Sequence, residues 1–169
     1  DGEDSESVEG QHLQIFADSF AENDAGCLPT GRIVSLDSEE GAPFDFREPT
    51  EIGKRLHEEN IHLKNGSGYD HNYLLKKQPD GLCARAYSRS SGILLECRTS
   101  EPGMQLYTGN FLSTSNIVGK GGKSYADRAG FCLETQHYPN AMEHPEFPSV
   151  VLPAGELYDT TTEYHISLL

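Results

Sequence analysis

The stretch LCARAYSRSSGILLECRTS, residues 82–100, contains two short, mainly apolar runs that are separated by a polar turn. The turn SRSSG (88–92) ends on Gly92, and glycine adopts backbone conformations that other residues avoid. Short polar links of this kind join antiparallel strands. The stretch therefore predicts a β-hairpin.

The same pattern of short extended runs and turn residues continues in both directions along the chain. HLQIFA (12–17) alternates, with Leu13 and Ile15 on one face and His12 on the other. Further candidate strands are RIVSL, YLLK, MQLYTG, GFCLET, SVVL and TEYHISLL, with turn signals at 65–68, 101–103, 119–122 and 153–155. Only TEIGKRLHEEN (50–60) has a helical pattern, with Thr50 as its cap. The sequence therefore predicts an all-β fold.

The net charge of the chain limits the kinds of partner that it is expected to bind. The 169 residues include 13 Lys and Arg against 27 Asp and Glu, which gives a formal charge of −14. Phosphate backbones and anionic lipids repel such a chain, so neither nucleic acid nor membrane is expected as a partner. No apolar run approaches the roughly 18 residues needed to cross a bilayer, and no signal-peptide pattern is present. A soluble globular protein is expected.

The four cysteines are widely spaced at Cys27, Cys83, Cys97 and Cys132, without a C-x-x-C pair. The last three lie in apolar runs, where a free cysteine acts as a small buried hydrophobe. We expect reduced structural thiols and, from them, a cytoplasmic protein.

Acidic residues are concentrated at the start of the chain. Residues 1–31 hold eight acids and no Lys or Arg, and DGEDSESVEG (1–10) has almost nothing to bury. We predict a flexible acidic segment over 1–11, followed by one β-domain over 12–169. The first residue is Asp1 rather than Met, so the chain is expected to be a piece of a longer protein.

Neither a metal nor a cofactor site is expected. The histidine pairs His57/His62 and His137/His144 lack the H-E-x-x-H spacing, and no cysteine is close enough to complete a zinc site. GKGGKSY (119–125) lacks the spacing of a phosphate-binding loop.

Two stretches carry candidate site residues. In GYDHNY (68–73), Asp70 and His71 lie between aromatic residues, which suits a sugar-binding site. An Asx turn at Asp70 explains the same pattern equally well. In GFCLETQHYP (130–139), Glu134 lies in an apolar strand, where burial would raise its pKa and suit a general base. Alternatively, Glu134 faces solvent from an edge strand, on one face with Cys132 and Gln136.

Several long motifs occur in the order found in aldose 1-epimerases, and the resemblance extends from His12 to the end of the chain. They are LPTGRIVSL (28–36), GAPFDFREPTEIG (41–53), GYDHNY (68–73), PGMQLYTGNFL (102–112), GFCLETQHYP (130–139), FPSVVL (147–152) and PAGELYDTTTEYHIS (153–167). The resemblance implies an antiparallel β-sandwich and an enzyme that interconverts the α and β anomers of free hexoses such as galactose and glucose. Met104 and Leu106 stand where the family more often has Val and Phe.

Four residues receive roles through the resemblance. His12 corresponds to the catalytic acid and Glu134 to the catalytic base, whereas Asp70 and Gln105 correspond to residues that bind sugar hydroxyls.

The resemblance also implies that half of the fold is missing. Family members are about twice as long, and their earlier half carries an Asn-Arg pair and a histidine in an H-x-[YFW]-[FW]-N-L motif, none of which occurs here. We therefore expect a partner that supplies an N-terminal half, either as a separate chain or as part of a longer protein. The alternatives are a non-catalytic sugar-binding or structural β-domain, and an enzyme for phosphorylated hexoses with Arg85, Arg89 or Arg98 at its pocket.

Overall fold

In a computed structural model, which describes residues 5–115 and 118–169, the chain folds almost entirely into β-strands. The strands are β1 (His12–Ile15), β2 (Ala17–Asn23), β3 (Pro29–Ser35), β4 (Thr50–Glu51), β5 (Asp70–Leu75), β6 (Leu82–Tyr87), β7 (Ile93–Thr99), β8 (Gly103–Tyr107), β9 (Cys132–Gln136) and β10 (Thr162–Leu168). One α-helix, α1, spans Ile61–Gly66. Short 3-10 segments lie at Ala42–Phe44, Ile52–Lys54, Leu112–Ser115 and Lys120–Gly122.

The strands form two antiparallel sheets of five. The first sheet has the order β10-β7-β6-β1-β4, and the second has the order β3-β2-β5-β8-β9. Both sheets contribute to one buried cluster, in which Cys83 Sγ of β6 lies 4.0 Å from Met104 Sδ of β8. Apolar side chains from the facing sides thus meet in a shared core, as in a sandwich. The predicted all-β sandwich class is confirmed.

The hairpin at 82–100 forms as the sequence predicts. Strands β6 and β7 pair antiparallel, with Ala86 opposite Leu95 and Tyr87 opposite Leu94. The turn closes through bonds from Ser88 N to Ile93 O and from Gly92 N to Ser88 O. Gly92 has a φ of 73°, a left-handed conformation that glycine adopts without a steric penalty.

The helix predicted over 50–60 is wrong. Thr50 and Glu51 form β4 and pair with Leu13 and His12 of β1, because this edge of the first sheet offers them backbone partners. The helix begins eleven residues after Thr50 instead, at Ile61. Asn60 caps α1, since its side chain accepts bonds from the amides of His62 and Leu63. In residues 5–115 and 118–169 there is no helix long and apolar enough to cross a membrane.

The acidic segment predicted to be flexible is attached to the fold from Val8 onward. Val8 is buried, and its amide donates to Arg128 O. Glu9 O and Gln11 O accept bonds from the amides of Gly53 and Ile52. The stretch from Val8 to Gln11 thus contacts the fold through one buried side chain and several backbone bonds, whereas residues 1–4 of the predicted segment lie outside the described residues.

The four cysteines are free thiols, as expected, but their burial differs. Cys83 and Cys97 lie in the core, as predicted. Cys132 is exposed, contrary to the prediction, because it alternates with the core residue Leu133 and faces away from the sandwich.

The C-terminal quarter exposes a large amount of apolar surface. Strand β10 pairs only with β7 and forms an edge of the first sheet. Tyr164 of β10 reaches across to β9, where its hydroxyl donates to Leu133 O. Several large apolar residues before, in and just after this strand are at least 44% exposed: Val150, Val151, Leu152, Leu157, Tyr158, Tyr164, Ile166, Leu168 and Leu169. Exposed apolar surface of this extent is typical of an interface.

Candidate active site

A polar face lies on the outer side of the second sheet, where β5, β8 and β9 run side by side. Asn72, Gln105 and Glu134 form one row across these strands, because Gln105 is directly opposite Asn72 on one side and Glu134 on the other. Their neighbours Met104, Leu106 and Leu133 point into the core, so alternation directs the row outward. We define the polar face as Asp70, Asn72, Gln105, Glu134 and Gln136.

Asp70 and Gln105 are joined directly. Gln105 Nε2 donates to Asp70 Oδ1 over 2.7 Å, and Asn23 Nδ2 donates to the backbone oxygen of Asp70 over 2.8 Å. The pKa of Asp70 is raised, because burial disfavours the charged carboxylate, and the bond from Gln105 opposes this effect. Asp70 thus starts strand β5 with its carboxylate engaged by a side chain, an arrangement that differs from the Asx turn considered as its alternative.

His71, the neighbour of Asp70, has the opposite orientation. It is fully buried, with ring contacts to Phe20 and Phe44. Burial, reinforced by His62 nearby, lowers the pKa of His71 to about 3, so the ring is neutral. The aromatic residues on either side of the motif are also in the core, where Tyr69 and Tyr73 donate to Pro43 O and Phe44 O. The expectation that this motif places aromatic rings beside a sugar is therefore wrong, and only Asp70 and Asn72 face the outer side.

Glu134 occupies the middle of β9, which is an edge strand of the second sheet. Its side chain is exposed to solvent in this chain. The solvent-facing alternative describes its position correctly. Even so, alternation places Glu134 beside Gln105 and on the same face as Asp70.

His12 lies far from this face, on the other side of the sandwich. Leu13 and Ile15 of β1 point into the core from the first sheet, so His12 points outward from that sheet. Its ring stacks on Tyr87 at 4.8 Å, and its Nε2 lies 3.9 Å from Glu51 Oε1. Since packed sheets are roughly 10 Å apart and the two side chains point in opposite directions, one hexose cannot touch both. The structure therefore does not bring His12 and Glu134 to one face, as a shared role as acid and base would require.

A small cleft opens beside the polar face. It has a volume of about 220 Å³ and is lined by Asn23, Cys27, Pro29, Gln105, Glu134, Gln136 and Pro139. Sites for small ligands usually measure roughly 300–1,000 Å³, so this cleft is smaller than a typical ligand site. The pKa of the Cys27 thiol is raised by burial and by Asp70 and Asp24, so the thiol stays protonated.

The cleft contains no basic side chain among the residues that the structure describes. Arg85 and Arg98 bond to Glu96 on the first sheet instead. A larger cavity of about 650 Å³, lined in part by Lys76, Lys77 and Arg98, contains none of the four predicted site residues. An enzyme for phosphorylated hexoses therefore gains no support from the placement of these cations. Within 5–115 and 118–169, no three His, Cys, Asp or Glu residues are grouped so that they could hold a metal ion.

Two polar residues of this face received no role from the sequence. Gln136 Nε2 lies 3.3 Å from Gln105 Oε1 and 3.2 Å from Asn72 Oδ1, so it links β9 to its neighbour β8 and to β5 beyond. Asn72 is 1% exposed although it is on the outer side of the sheet. In the sequence, Gln136 could be assigned to this face because it is two residues from Glu134 in the same strand. Asn72 could be assigned to the face only after the pairing of β5 with β8 was known.

Comparison with known proteins gives a consistent answer. A profile of the family described as "Aldose 1-epimerase" matches residues 2–165. The chain is 42% identical over 168 residues to galactose mutarotase from Bos taurus and 36% identical to aldose 1-epimerase from Escherichia coli K12. These matches cover 99% and 97% of this chain but 46% of each relative, so the chain spans about half the length of the curated relatives that it matches.

Solved structures give the same result. An aldose epimerase homologue from C. elegans superposes with a TM-score of 0.83 at 28% identity, over 98% of this chain and 48% of the other. A galactose 1-epimerase from Lactobacillus acidophilus superposes with a TM-score of 0.73 over 96% of this chain and 45% of the other, and at 23% identity it supports the fold alone.

Proposed function

Because the chain belongs to the aldose 1-epimerase family, we propose that it is part of an enzyme that interconverts the α and β anomers of free aldohexoses such as galactose and glucose. The observation that carries this proposal is the polar face, where Asp70, Gln105 and Glu134 lie together on three adjacent strands. Such an enzyme acts in hexose metabolism.

Asp70 and Gln105 would bind the sugar. Asp70 Oδ1 accepts a hydrogen bond from Gln105, which leaves Asp70 Oδ2 to accept a hydrogen bond from a ring hydroxyl. The second hydrogen on Gln105 Nε2 is available to donate to a neighbouring hydroxyl oxygen. A hydrogen bond to a charged group contributes roughly 1.5–3 kcal/mol, so Asp70 would supply most of this recognition.

Glu134 would serve as the general base. As a carboxylate beside Gln105, it would take the proton from the anomeric hydroxyl while the ring oxygen receives a proton from an acid. The ring then opens, the aldehyde carbon rotates, and reclosure with the proton transfers reversed gives the other anomer. Each positioned proton transfer contributes about 10²–10⁴-fold to the rate. The reaction consists of proton transfers, so its chemistry requires no cofactor.

The acid would come from the other half of the fold. His12 is on the opposite side of the sandwich, and no histidine, lysine or arginine lines the cleft in the described part of the chain. The family resemblance places a histidine in the earlier half, within a motif that this chain lacks. We therefore propose that the partner contributes the proton donor as well as the second wall of the cleft.

The exposed apolar surface in and before β10 supports the same partner. We propose that the complementary N-terminal half of the fold packs here, since the chain spans 46% of its relatives and exposes residues such as Leu157 and Ile166. We call the chain together with this half the assembled protein. The free thiols of Cys83 and Cys97 in the core support a reducing, cytoplasmic location.

A non-catalytic sugar-binding domain is the alternative for this chain on its own. The observation in its favour is that Glu134 is exposed and that no histidine, lysine or arginine lines the cleft among the described residues.

The test is Glu134→Gln in the assembled protein. Glutamine preserves the shape of the side chain but cannot accept the proton, so polarimetric mutarotation of α-D-galactose should fall by at least about 10²-fold while the fold persists. Glu143→Gln, at an exposed position outside the cleft, is the matched control and should retain the parent rate. A rate close to that of the parent for Glu134→Gln would reject Glu134 as the base.

A further inference from the structure

The orientation of the Gln105 amide determines what the polar face can offer to a sugar. An amide has an oxygen that accepts and a nitrogen that donates, and the two ends are nearly equal in shape. With its nitrogen toward Asp70, Gln105 donates to the carboxylate over 2.7 Å. Turned over, its oxygen would face the carboxylate, and two acceptors would repel each other. A donor on the oxygen of Gln105 would favour the same orientation from the other end of the amide.

Gln136 provides that donor. Its Nε2 lies 3.3 Å from Gln105 Oε1 and 3.2 Å from Asn72 Oδ1, so its two amide hydrogens have one acceptor each. Because the oxygen of Gln105 is occupied by this donor, its nitrogen is left to face Asp70. The bonds then run in one direction across three strands, from Gln136 through Gln105 to the Asp70 carboxylate.

Gly103 provides the space for this arrangement. It lies directly opposite Gln136 on β8, and the Asn72 amide fills the volume that a side chain would take. A methyl group at Gly103 would lie 2.6 Å from Asn72 Oδ1 and 2.9 Å from Tyr138 Cδ1. The acceptor for the second hydrogen of Gln136 is therefore held by burial, with Asn72 only 1% exposed.

We propose that Gln136 is a positioning residue, which fixes the amide of Gln105 so that Asp70 and Gln105 present a defined set of donors and acceptors to the sugar hydroxyls. This inference rests on the proposed function for its substrate, but the contacts that carry it are independent of catalysis. Gln136 itself need not touch the sugar.

The test compares Gln136→Glu with Gln136→Met in the assembled protein. At pH 7.5 the carboxylate of the first variant cannot donate to either oxygen, so KM for galactose should rise about tenfold while kcat stays within about twofold of the parent. Near pH 4.5 a glutamic acid is partly protonated and regains a donor, so the ratio of variant to parent KM should fall toward one. Gln136→Met keeps the length but has no donor, and its ratio should stay high at both values of pH.

Gln14→Glu is the matched control. Gln14 is also a partly buried glutamine that donates one side-chain bond, to Arg47 O, but it lies on the first sheet. Its variant should keep the parent KM at both values of pH. The positioning role would be overturned if the parent and Gln136→Glu had the same KM at pH 7.5. It would also be overturned if the KM ratios of Gln136→Glu and Gln136→Met changed in the same way between the two values of pH.

A structural measurement separates this inference from the proposed function. Side-chain amide resonances of Gln105 in ¹⁵N spectra should shift in Gln136→Glu at pH 7.5 and stay unchanged in Gln14→Glu. If the parent does not accelerate mutarotation, the proposed function fails, and these resonances alone decide the inference. Unshifted Gln105 resonances in Gln136→Glu would overturn it.

Discussion

At the scale of single residues, strand alternation determines which members of a motif can meet a substrate. Asp70 and His71 are adjacent, yet Asp70 bonds to Gln105 on the outer side of the second sheet and His71 packs against Phe20 in the core. The same rule separates Gln105 from the core residue Met104. Neighbours in sequence therefore have different tasks, one in recognition and the other in stability.

Asp70→Asn should weaken sugar binding. The variant keeps the size of the side chain but replaces a charged acceptor, whose hydrogen bond contributes roughly 1.5–3 kcal/mol, so the dissociation constant for galactose should rise about 10- to 100-fold. Isothermal titration calorimetry on the assembled protein would measure this, with Asp18→Asn on the exposed surface as the control. A large loss of stability with unchanged affinity would show that Asp70 has a structural role instead.

His71 should make the fold sensitive to acid. Its pKa is lowered to about 3 in the folded chain, mainly by burial, against about 6.5 for a free imidazole. Below pH 6.5 the unfolded chain therefore binds more protons, and the free energy of unfolding should fall by up to about 1.4 kcal/mol per pH unit toward pH 3. This contribution is fully present above pH 6.5.

Urea denaturation of the assembled protein at pH 7 and pH 5 would measure the effect. His71→Leu removes the titrating group and should reduce the difference between the two stabilities, whereas the exposed His57 should contribute little when it is replaced in the same way. An unchanged pH dependence in His71→Leu would contradict this explanation.

The family motifs are long and distinctive enough to single out Asp70, Gln105 and Glu134, and the structure places these three residues on adjacent strands of one sheet. The sequence could not predict the place of His12. Its neighbours Leu13 and Ile15 correctly indicated which side of β1 is buried, but only the assignment of β1 to the first sheet shows that His12 and Glu134 point in opposite directions.

At the scale of secondary-structure elements, local turn signals were reliable and helix signals were not. SRSSG closes the β6–β7 hairpin through bonds between residues that are close in sequence. Whether this turn forms therefore depends on local geometry. Residues 50–60 have a helical pattern, but Thr50 and Glu51 instead pair with β1, nearly forty residues earlier in the chain. A contact of that sequence separation cannot be read from local propensity.

The pairing of β5, β8 and β9 requires a glycine at one position. Gly103→Ala places a methyl group 2.6 Å from Asn72 Oδ1, so either the Asn72 amide or strand β8 must move. Overpacking of this kind costs roughly 1–3 kcal/mol, and urea denaturation of the assembled protein should show a loss of that size.

Gly130→Ala is the matched control for this substitution, since a methyl group there meets nothing within 4 Å. Equal stabilities for the two variants would mean that the space over Gly103 is not needed.

At the scale of the whole molecule, the chain has one shared core but also exposes many large apolar side chains. Both sheets contribute to one buried cluster, whereas Leu157, Ile166 and Leu168 are each more than 60% exposed. The proposed base and the proposed hydroxyl-binding pair lie on one face, and no histidine, lysine or arginine occurs in the described lining of the cleft beside them. The proposed complementary half would cover this exposed surface and contribute the proposed proton donor.

The most direct test of this account is polarimetry of α-D-galactose, with the 169-residue chain alone and then with the half of the fold that precedes it in its relatives. Alone, the chain should be poorly soluble or aggregated by size-exclusion chromatography and should not accelerate mutarotation, because it exposes apolar surface and sheet edges. The mixture should elute as a compact particle and accelerate the reaction. A monodisperse, cooperatively melting chain whose mixture with the other half remains inactive would contradict the account.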